Sequence, residues 1–365
     1  MEDTSYVPAV LIHEGIIEKI GDFEELKSIA PEAEQIDLQS KTMLPAFIDA
    51  HSHFSAYANA QLQIPLIEAL SIHEITQRIE FFMRSNAVKV GEWVVASDYD
   101  HNALLEKSHP HIDLLDRIAP ENPLVLHHKS GHCGVFNTKA LSFLGITSDT
   151  VSPSGGLIGR VDGKLTGYLE EEAYISSIKK LPISDFSEML GAYVTAQKKY
   201  LSNGITTIQE GMMIAEIAPL YEQLLASNQL LVDVVVYPDI GSMKDIVAKF
   251  PNSLKKYDQH LKIGGYKIFL DGSPQVKTAW MQSPYKGTYD YFGYGTMSDA
   301  DVLFAVETSA KENIQILAHC NGDAAIQQYI NTIKKVALVD ETIIKLKPVI
   351  IHSQLITKQQ LVEVA

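Results

Sequence analysis

Ala46-Phe47-Ile48-Asp49-Ala50-His51-Ser52-His53 is an apolar run that ends in two histidines one residue apart. Side chains alternate across a strand, so His51 and His53 share a face and both imidazoles can reach one ion from a rigid support. Asp49 lies on that face too. Two surface histidines beside a loop would be the plainer explanation, but the buried-looking run before them argues against it. The stretch therefore reads as a barrel or sheet strand whose end carries metal ligands.

Downstream, apolar strands alternate with helices. The segment 186–204 has helical periodicity and stops at Gly204. Strands are expected at 205–208, 231–237, 265–270, 314–318 and 349–351, with helices near 213–227, 242–249, 299–313 and 323–337. Such alternation means parallel strands buried on both faces. A nucleotide-binding sheet would place a glycine-rich loop directly after its first strand, and none is present. Instead His51, His53, Glu210, Asp271, His319 and His352 fall just past several strand ends. In a (β/α) barrel those ends share one mouth, which makes an α/β barrel the expected fold class. Strands ending near 50, 208, 237, 270, 318 and 351 make six. Thirteen residues follow His352, so the chain is expected to stop before an eight-stranded barrel closes.

Upstream, residues 7–12 and 16–20 are β-prone runs around the turn His13-Glu14-Gly15. A charged stretch leads to two further short runs, Ile36-Asp37-Leu38 and Met43-Leu44-Pro45. Residues 1–45 are expected to form a small antiparallel element and 46–365 the incomplete barrel. A large insertion is expected over about 60–190, with a helix at 74–84 and strands at 93–96 and 124–126. Its turn-rich stretch 152–167 would suit an excursion over an active site.

The chain has 365 residues, 46% of them hydrophobic and 21% charged, with a formal net charge of −15. A negative field repels phosphate backbones and anionic lipid, which excludes nucleic acid and membrane surfaces as expected partners. It leaves a small substrate open, because a metal inverts the local potential. Cys133 and Cys320 are not in a CxxC pair, so a reducing compartment is expected. No run reaches the roughly 18 apolar residues of a membrane span. The N-terminus is unlike a secretory signal, and the expectation is a soluble cytoplasmic protein.

His319 and His352 each sit where an apolar strand ends. With His51 and His53 they make four imidazoles at equivalent heights, too many for one open zinc site. They suit two ions about 3.5–4 Å apart. Lys267 lies inside an apolar strand, where an uncompensated ammonium is costly. Its stem could snorkel to the barrel end, or it could pair with Asp271. The alternative we favour is that its amine has taken up carbon dioxide, giving a carbamate that bridges the ions. Glu210 could orient a ligand histidine or line the pocket. In the crowded run His127, His128, Lys129, His132, Cys133, a substrate-binding or carbonyl-polarising role falls to His132. Tyr285, Tyr289, Tyr291, Phe292 and Tyr294 are a candidate aromatic wall. His13, His73, His101, His109, His111 and His260 lack the strand-end placement and are expected at the surface.

The words LPAFIDAHSHF (44–54), HKSGHCGVFNTKAL (128–141), GITTIQE (204–210), GYKIFLDGS (265–273), LAHCNGD (317–323) and IHSQL (351–355) occur in this order. In that pattern the chain resembles the amidohydrolase superfamily, specifically the family 3 branch that includes N-substituted formamide deformylase-like proteins. The resemblance implies a metal-dependent hydrolase (β/α)8 TIM barrel with a small β-sandwich built from both chain ends, here present in part. It implies metal ligation by His51, His53, carboxylated Lys267, His319 and His352, with two divalent ions, zinc by expectation. Ala46 replaces the usual glycine before the first-strand motif.

The family's general-base aspartate, at the end of strand eight, has no counterpart in these residues. The expected chemistry is hydrolysis of a non-peptide carbon–nitrogen bond in an amide, formamide or cyclic amide by a metal-bound hydroxide. His319, His352 and His132 would stand at the reacting centre. Ester or phosphoester hydrolysis is the competing chemistry. A catalytically inactive ligand-binding or regulatory protein is the competing class if 365 residues is the whole product. The expected partner is a small amide-like molecule, and a homodimer is admissible.

Overall fold

The computed structural model describes residues 6–181 and 186–365. Two compact units divide at Ala46/Phe47. Residues 182–185, at the end of the stretch expected to be an insertion, lie outside the described residues.

In the first unit, β1 (Ala9–His13) pairs antiparallel with β2 (Ile16–Gly21). Glu14 and Gly15 join them with φ of 49° and 78°, the two left-handed residues of a tight hairpin. The charged stretch after it folds as helix α1 (Phe23–Ile29), whose first turn is capped by the Asp22 carboxylate. The strands expected at 36–38 and 43–45 do not form. The Gln39 N–H donates to Asp37 Oδ1, and Gln39 and Ser40 both have positive φ, so the chain turns where a strand would need extension.

The second unit opens with β3 (Phe47–Ile48) and α2 (Phe54–Ala60). The stretch expected to be an insertion builds its own six-stranded sheet. Its strands are β4 (Ile64–Pro65), β5 (Val94–Tyr99), β6 (Leu124–His128), β7 (Cys133–Phe136), β8 (Gly156–Val161) and β9 (Lys164–Glu171), in the order β4-β5-β6-β7-β9-β8. The first three are parallel and the rest antiparallel. Ile75, Ile79, Val94, Leu115 and Leu126 fill a core on this sheet, and Phe136, Leu141, Leu169 and Tyr174 another. The stretch expected as a loop at 152–167 is instead mostly the β8–β9 hairpin. Asp162-Gly163 supplies its turn, with φ of 49° and 77°.

The remaining strands are β10 (Ile205–Met213), β11 (Asp233–Pro238), β12 (Leu261–Ile263), β13 (Gly265–Phe269), β14 (Gln315–Cys320) and β15 (Val349–His352). They pair in parallel as β3-β10-β11-β12 and β13-β14-β15, and a parallel bridge from Asp239 to Lys267 connects the two sets. Helices return the chain between strands. Ile208, Val234, Val236, Ile263, Ile268, Ile316 and Ala318 pack against Tyr193, Leu224, Ile246, Val306, Ile326 and Tyr329 in one large core. Each fully buried aliphatic side chain there contributes about 1.5–3 kcal/mol. All strand C-terminal ends therefore face the same way, which puts the residues that follow them on one side.

Candidate active site at the strand ends

His51 and His53 leave the end of β3, and β10 holds them there. The Ser52 hydroxyl donates to the Gln209 carbonyl and accepts the Gln209 N–H, both at 3.0 Å, while the Gly211 N–H donates to the Ser52 carbonyl. Four imidazoles from three strand ends gather. His51 meets His53 and His352 edge to face, each at 5.2 Å between ring centres, and His352 meets His319 at 4.6 Å.

Hydrogen bonds hold one edge of the His51 and His319 rings. His51 Nδ1 lies 3.1 Å from Gln209 Oε1, so Nδ1 carries the proton and Nε2 keeps its lone pair. That Nε2 is buried and has no hydrogen-bond partner among the described residues. His319 Nε2 lies 3.1 Å from the Gly272 carbonyl and 3.0 Å from Asn321 Nδ2, and these two groups hold that edge of the ring. Burial, then the Lys267 charge, lowers the pKa of His51 and brings that of His53 down to about 3. Burial, then the neighbouring His51, brings His352 to about 4 and burial drives His319 well below its usual value. All four rings are thus neutral near pH 7, the form that binds metal.

Lys267 is 1% exposed, and its Nζ has no hydrogen-bond partner among the described residues. It does not snorkel to solvent, and among the described residues it forms no ion pair with Asp271. Its amine lies 4.7 Å from the centre of the Phe269 ring. Burial lowers its pKa to about 8. Asp271 is occupied otherwise, accepting backbone N–H groups from Trp280, Asn321 and Gly322 at 3.0, 2.9 and 2.7 Å. It ties the loop after β13 to the loop after β14. Glu210 serves the first turn of α2 and not a histidine. It accepts the Ser55 N–H at 2.7 Å and the Tyr221 hydroxyl at 2.9 Å, and burial raises its pKa to about 7.

His132 comes from the insertion, yet its ring lies 5.2 Å from that of His319. Its Nδ1 is 2.9 Å from Glu171 Oε2. Among the expected aromatic wall residues, Tyr294 reaches Glu170 and Tyr285 reaches the Ala279 carbonyl, whereas Tyr289 is fully exposed. Gln209 and Glu171 escaped the sequence reading. Gln209 alternates with Glu210 on a strand and could have been weighed as the neighbour facing the histidines. Glu171 offered no signal beyond being one of three consecutive glutamates.

His101 and His109, expected at the surface, are instead partly buried in a cluster with His128. His101 stacks on His109 at 4.0 Å, and His109 accepts or donates a 2.8 Å hydrogen bond with Tyr99. Burial lowers His109 to about 3 and His128 to about 4. Asp100, His101 and His128 form a candidate metal-binding site, with ligand atoms all within 4.8 Å of one another. The group is also paired internally. The Ser130 N–H donates to His128 Nδ1, so His128 Nε2–H faces His101 Nδ1 at 3.0 Å, and Asp100 pairs with Lys129 at 2.9 Å. An ion entering here must displace that proton. His13, His73, His111 and His260 are exposed, as expected.

A parallel α/β unit with histidines and one buried lysine at its strand ends defines a metal-dependent hydrolase fold. Residues 34–365 match the amidohydrolase family, and the chain belongs to it, in the family 3 branch of the superfamily. It is similar to N-substituted formamide deformylase of Arthrobacter pascens, 28% identical over 335 residues, covering 88% of this chain and 61% of that protein. YtcJ of Bacillus subtilis (strain 168) is 25% identical over 346 residues, 92% of this chain and 64% of the relative. The chain thus spans less than two thirds of the length of these relatives. In fold it is similar to an uncharacterized metal-dependent hydrolase from Pyrococcus horikoshii OT3 (TM-score 0.72, 22% identity, 97% of this chain and 68% of that one). A second, from Pyrococcus furiosus, gives a TM-score of 0.70 at 21% identity, over 97% of this chain and 70% of that one. Among the described residues, no helix is long and apolar enough to cross a membrane.

Proposed function

We propose that the protein hydrolyses the carbon–nitrogen bond of a small non-peptide amide, with an N-substituted formamide as the leading substrate class. Family membership and the similarity to a formamide deformylase support this reading. The observation that carries it is the pair of buried nitrogens without a hydrogen-bond partner among the described residues, His51 Nε2 and Lys267 Nζ, amid three further neutral imidazoles. Buried polar atoms without partners are rare and call for a missing one.

The donors fit two divalent ions, with zinc the expected metal. His51, His53 and Lys267 would hold one, and Lys267, His319 and His352 the other. When bound, the ions supply Lewis acidity, polarising the carbonyl and easing deprotonation of water. The protein's own residues prepare this. Gln209 and the Gly272 carbonyl fix the faces of His51 and His319. Burial keeps part of Lys267 as free amine at neutral pH, so its lone pair can attack the carbon of carbon dioxide. A new N–C bond forms, one proton leaves to water, and the resulting carbamate offers two oxygens. His132 stands beside His319 to meet the carbonyl oxygen of the substrate.

The test is formate release from an N-substituted formamide by the product of the full reading frame, loaded with zinc. Release that disappears in His51→Ala is expected. Turnover of a matched ester with none of the amide would overturn the proposal.

A further inference from the structure

The Glu171 carboxylate is almost completely buried, its side chain 3% exposed, yet it belongs to neither the expected metal ligands nor the aromatic wall. We propose that Glu171 is a positioning residue that locks the His132 ring with its Nδ1–H inward and its Nε2 turned to the substrate's carbonyl. The substrate part of this rests on the hydrolase reading above. The ring orientation stands on the geometry alone.

His132 and Glu171 are tied twice. The Glu171 N–H donates to the His132 carbonyl at 2.8 Å, and His132 Nδ1–H donates to Glu171 Oε2 at 2.9 Å. An ionised carboxylate only accepts, so the ring proton must sit on Nδ1. Among the described residues nothing bonds to Nε2, and the ring remains 12% exposed. The other carboxylate oxygen accepts the Thr278 hydroxyl at 2.5 Å, while Thr278 Oγ1 itself accepts the Ser273 N–H at 2.9 Å. Both oxygens are thus fixed, one from the insertion and one from the loop after β13.

Two further features show that the fold is bent around this contact. Glu171 has φ 47° and ψ −125°, a conformation that an L side chain rarely adopts. Strain of this kind persists where surrounding contacts impose it, commonly at functional sites. Gly272 lies directly beneath: a Cβ there would meet Glu171 Oε1 and Thr278 Oγ1 at 2.1 Å each. The Gly272 carbonyl in turn receives His319 Nε2 and, at 2.8 Å, Asn321 Nδ2. One glycine therefore admits the carboxylate that aims His132 and supplies the acceptor that aims His319.

Fixing the inner nitrogen decides what the outer one can do. With Nδ1–H committed to Glu171, a neutral His132 offers a lone pair at Nε2 and a protonated one offers an N–H. Either state points the same atom at the mouth. Without Glu171 the ring is free to flip or to move its proton to Nε2.

Selective histidine labelling and 15N NMR of the metal-free protein read the tautomer directly, independent of any activity. The Nδ1–H form of His132 is expected in the native chain. It should be lost or mixed in Glu171→Ala and retained in Glu171→Gln, whose amide oxygen still accepts. Should Glu171→Ala fail to fold, Thr278→Val removes the second anchor, along with the acceptor of the Ser273 N–H, and should broaden or mix the His132 signals. An Nε2–H tautomer in the native chain, or one indifferent to both variants, would overturn the proposal. In the zinc-loaded full-length protein, Glu171→Ala should lower kcat by about 10- to 100-fold with a smaller effect on KM. Glu171→Gln should recover part of that loss. No turnover in any form, with the tautomer as expected, would refute the hydrolase reading and leave the positioning contact standing.

Discussion

The amine of Lys267 sits 4.7 Å above the ring of Phe269 and reaches no acceptor among the described residues, although the residue is 1% exposed. A buried, unpaired amine is a liability to a protein that uses it only for packing. Lys267→Met fills nearly the same space without the polar end. The metal-free variant should be as stable as the native chain or more so, by up to about 4 kcal/mol, as read from thermal unfolding. A clear loss of stability would mean that Nζ has a structural partner.

The same amine gives a pH signature. Burial depresses its pKa from 10.5 to about 8, so the folded state favours the neutral form. Its stabilising contribution is complete above the unfolded value and is lost as pH falls through about 8. Free amine for carbamate formation grows over the same interval. With 13C-labelled bicarbonate, a carbamate carbon signal should rise as pH passes 8 and be missing from Lys267→Met.

The imidazoles extend this behaviour to acid. Their folded pKa values are depressed, to about 3 for His53 and about 4 for His352, so their contribution is present above about 6.5 and fades as pH falls through those values. Denaturant midpoints of the metal-free protein should fall between pH 6.5 and 3, and fall less steeply in His352→Phe.

Gln209 gives a prediction that separates orientation from folding. It is half-buried and its amide oxygen holds His51 Nδ1. Gln209→Leu should weaken metal binding by about 10- to 100-fold with little change in unfolding temperature. Asp271→Asn should do the reverse. It turns one of the two oxygens that together accept three N–H groups into a donor, costing about 1–3 kcal/mol, with the loss seen in unfolding before it is seen in metal content.

How much of this was legible beforehand follows from how locally each feature is encoded. The parallel strands and the four strand-end histidines could be read because an apolar run ending in a polar residue carries its own message. Lys267 stood out for the same reason, as a charge where none is tolerated. Strands expected at 36–38 and 43–45 do not form because the turn preference of Asp37, Gln39 and Ser40 outweighs the apolar residues around them. The 156–171 hairpin was mistaken for a loop although Asp162-Gly163 is a hairpin turn signal. Glu171, Gln209 and the His101–His109–His128 cluster were hidden because their partners arrive from distant segments. His132 and Glu171 are joined only once β7 and β9 pair.

Two sets of histidines can compete for metal, and substitution separates them. His101→Ala removes a ligand from the Asp100, His101, His128 group and leaves the strand-end residues intact. If the strand-end residues hold both ions, this variant keeps its full metal content after dialysis against trace zinc. A loss of one ion would place part of the metal in the insertion.

The most direct measurement is metal stoichiometry by mass spectrometry on protein grown with zinc and bicarbonate, native beside Lys267→Ala. Two ions per chain in the native protein, falling to one or none in the variant, is the result expected of a lysine carbamate bridging His51 and His53 to His319 and His352. Two ions retained in Lys267→Ala would contradict it.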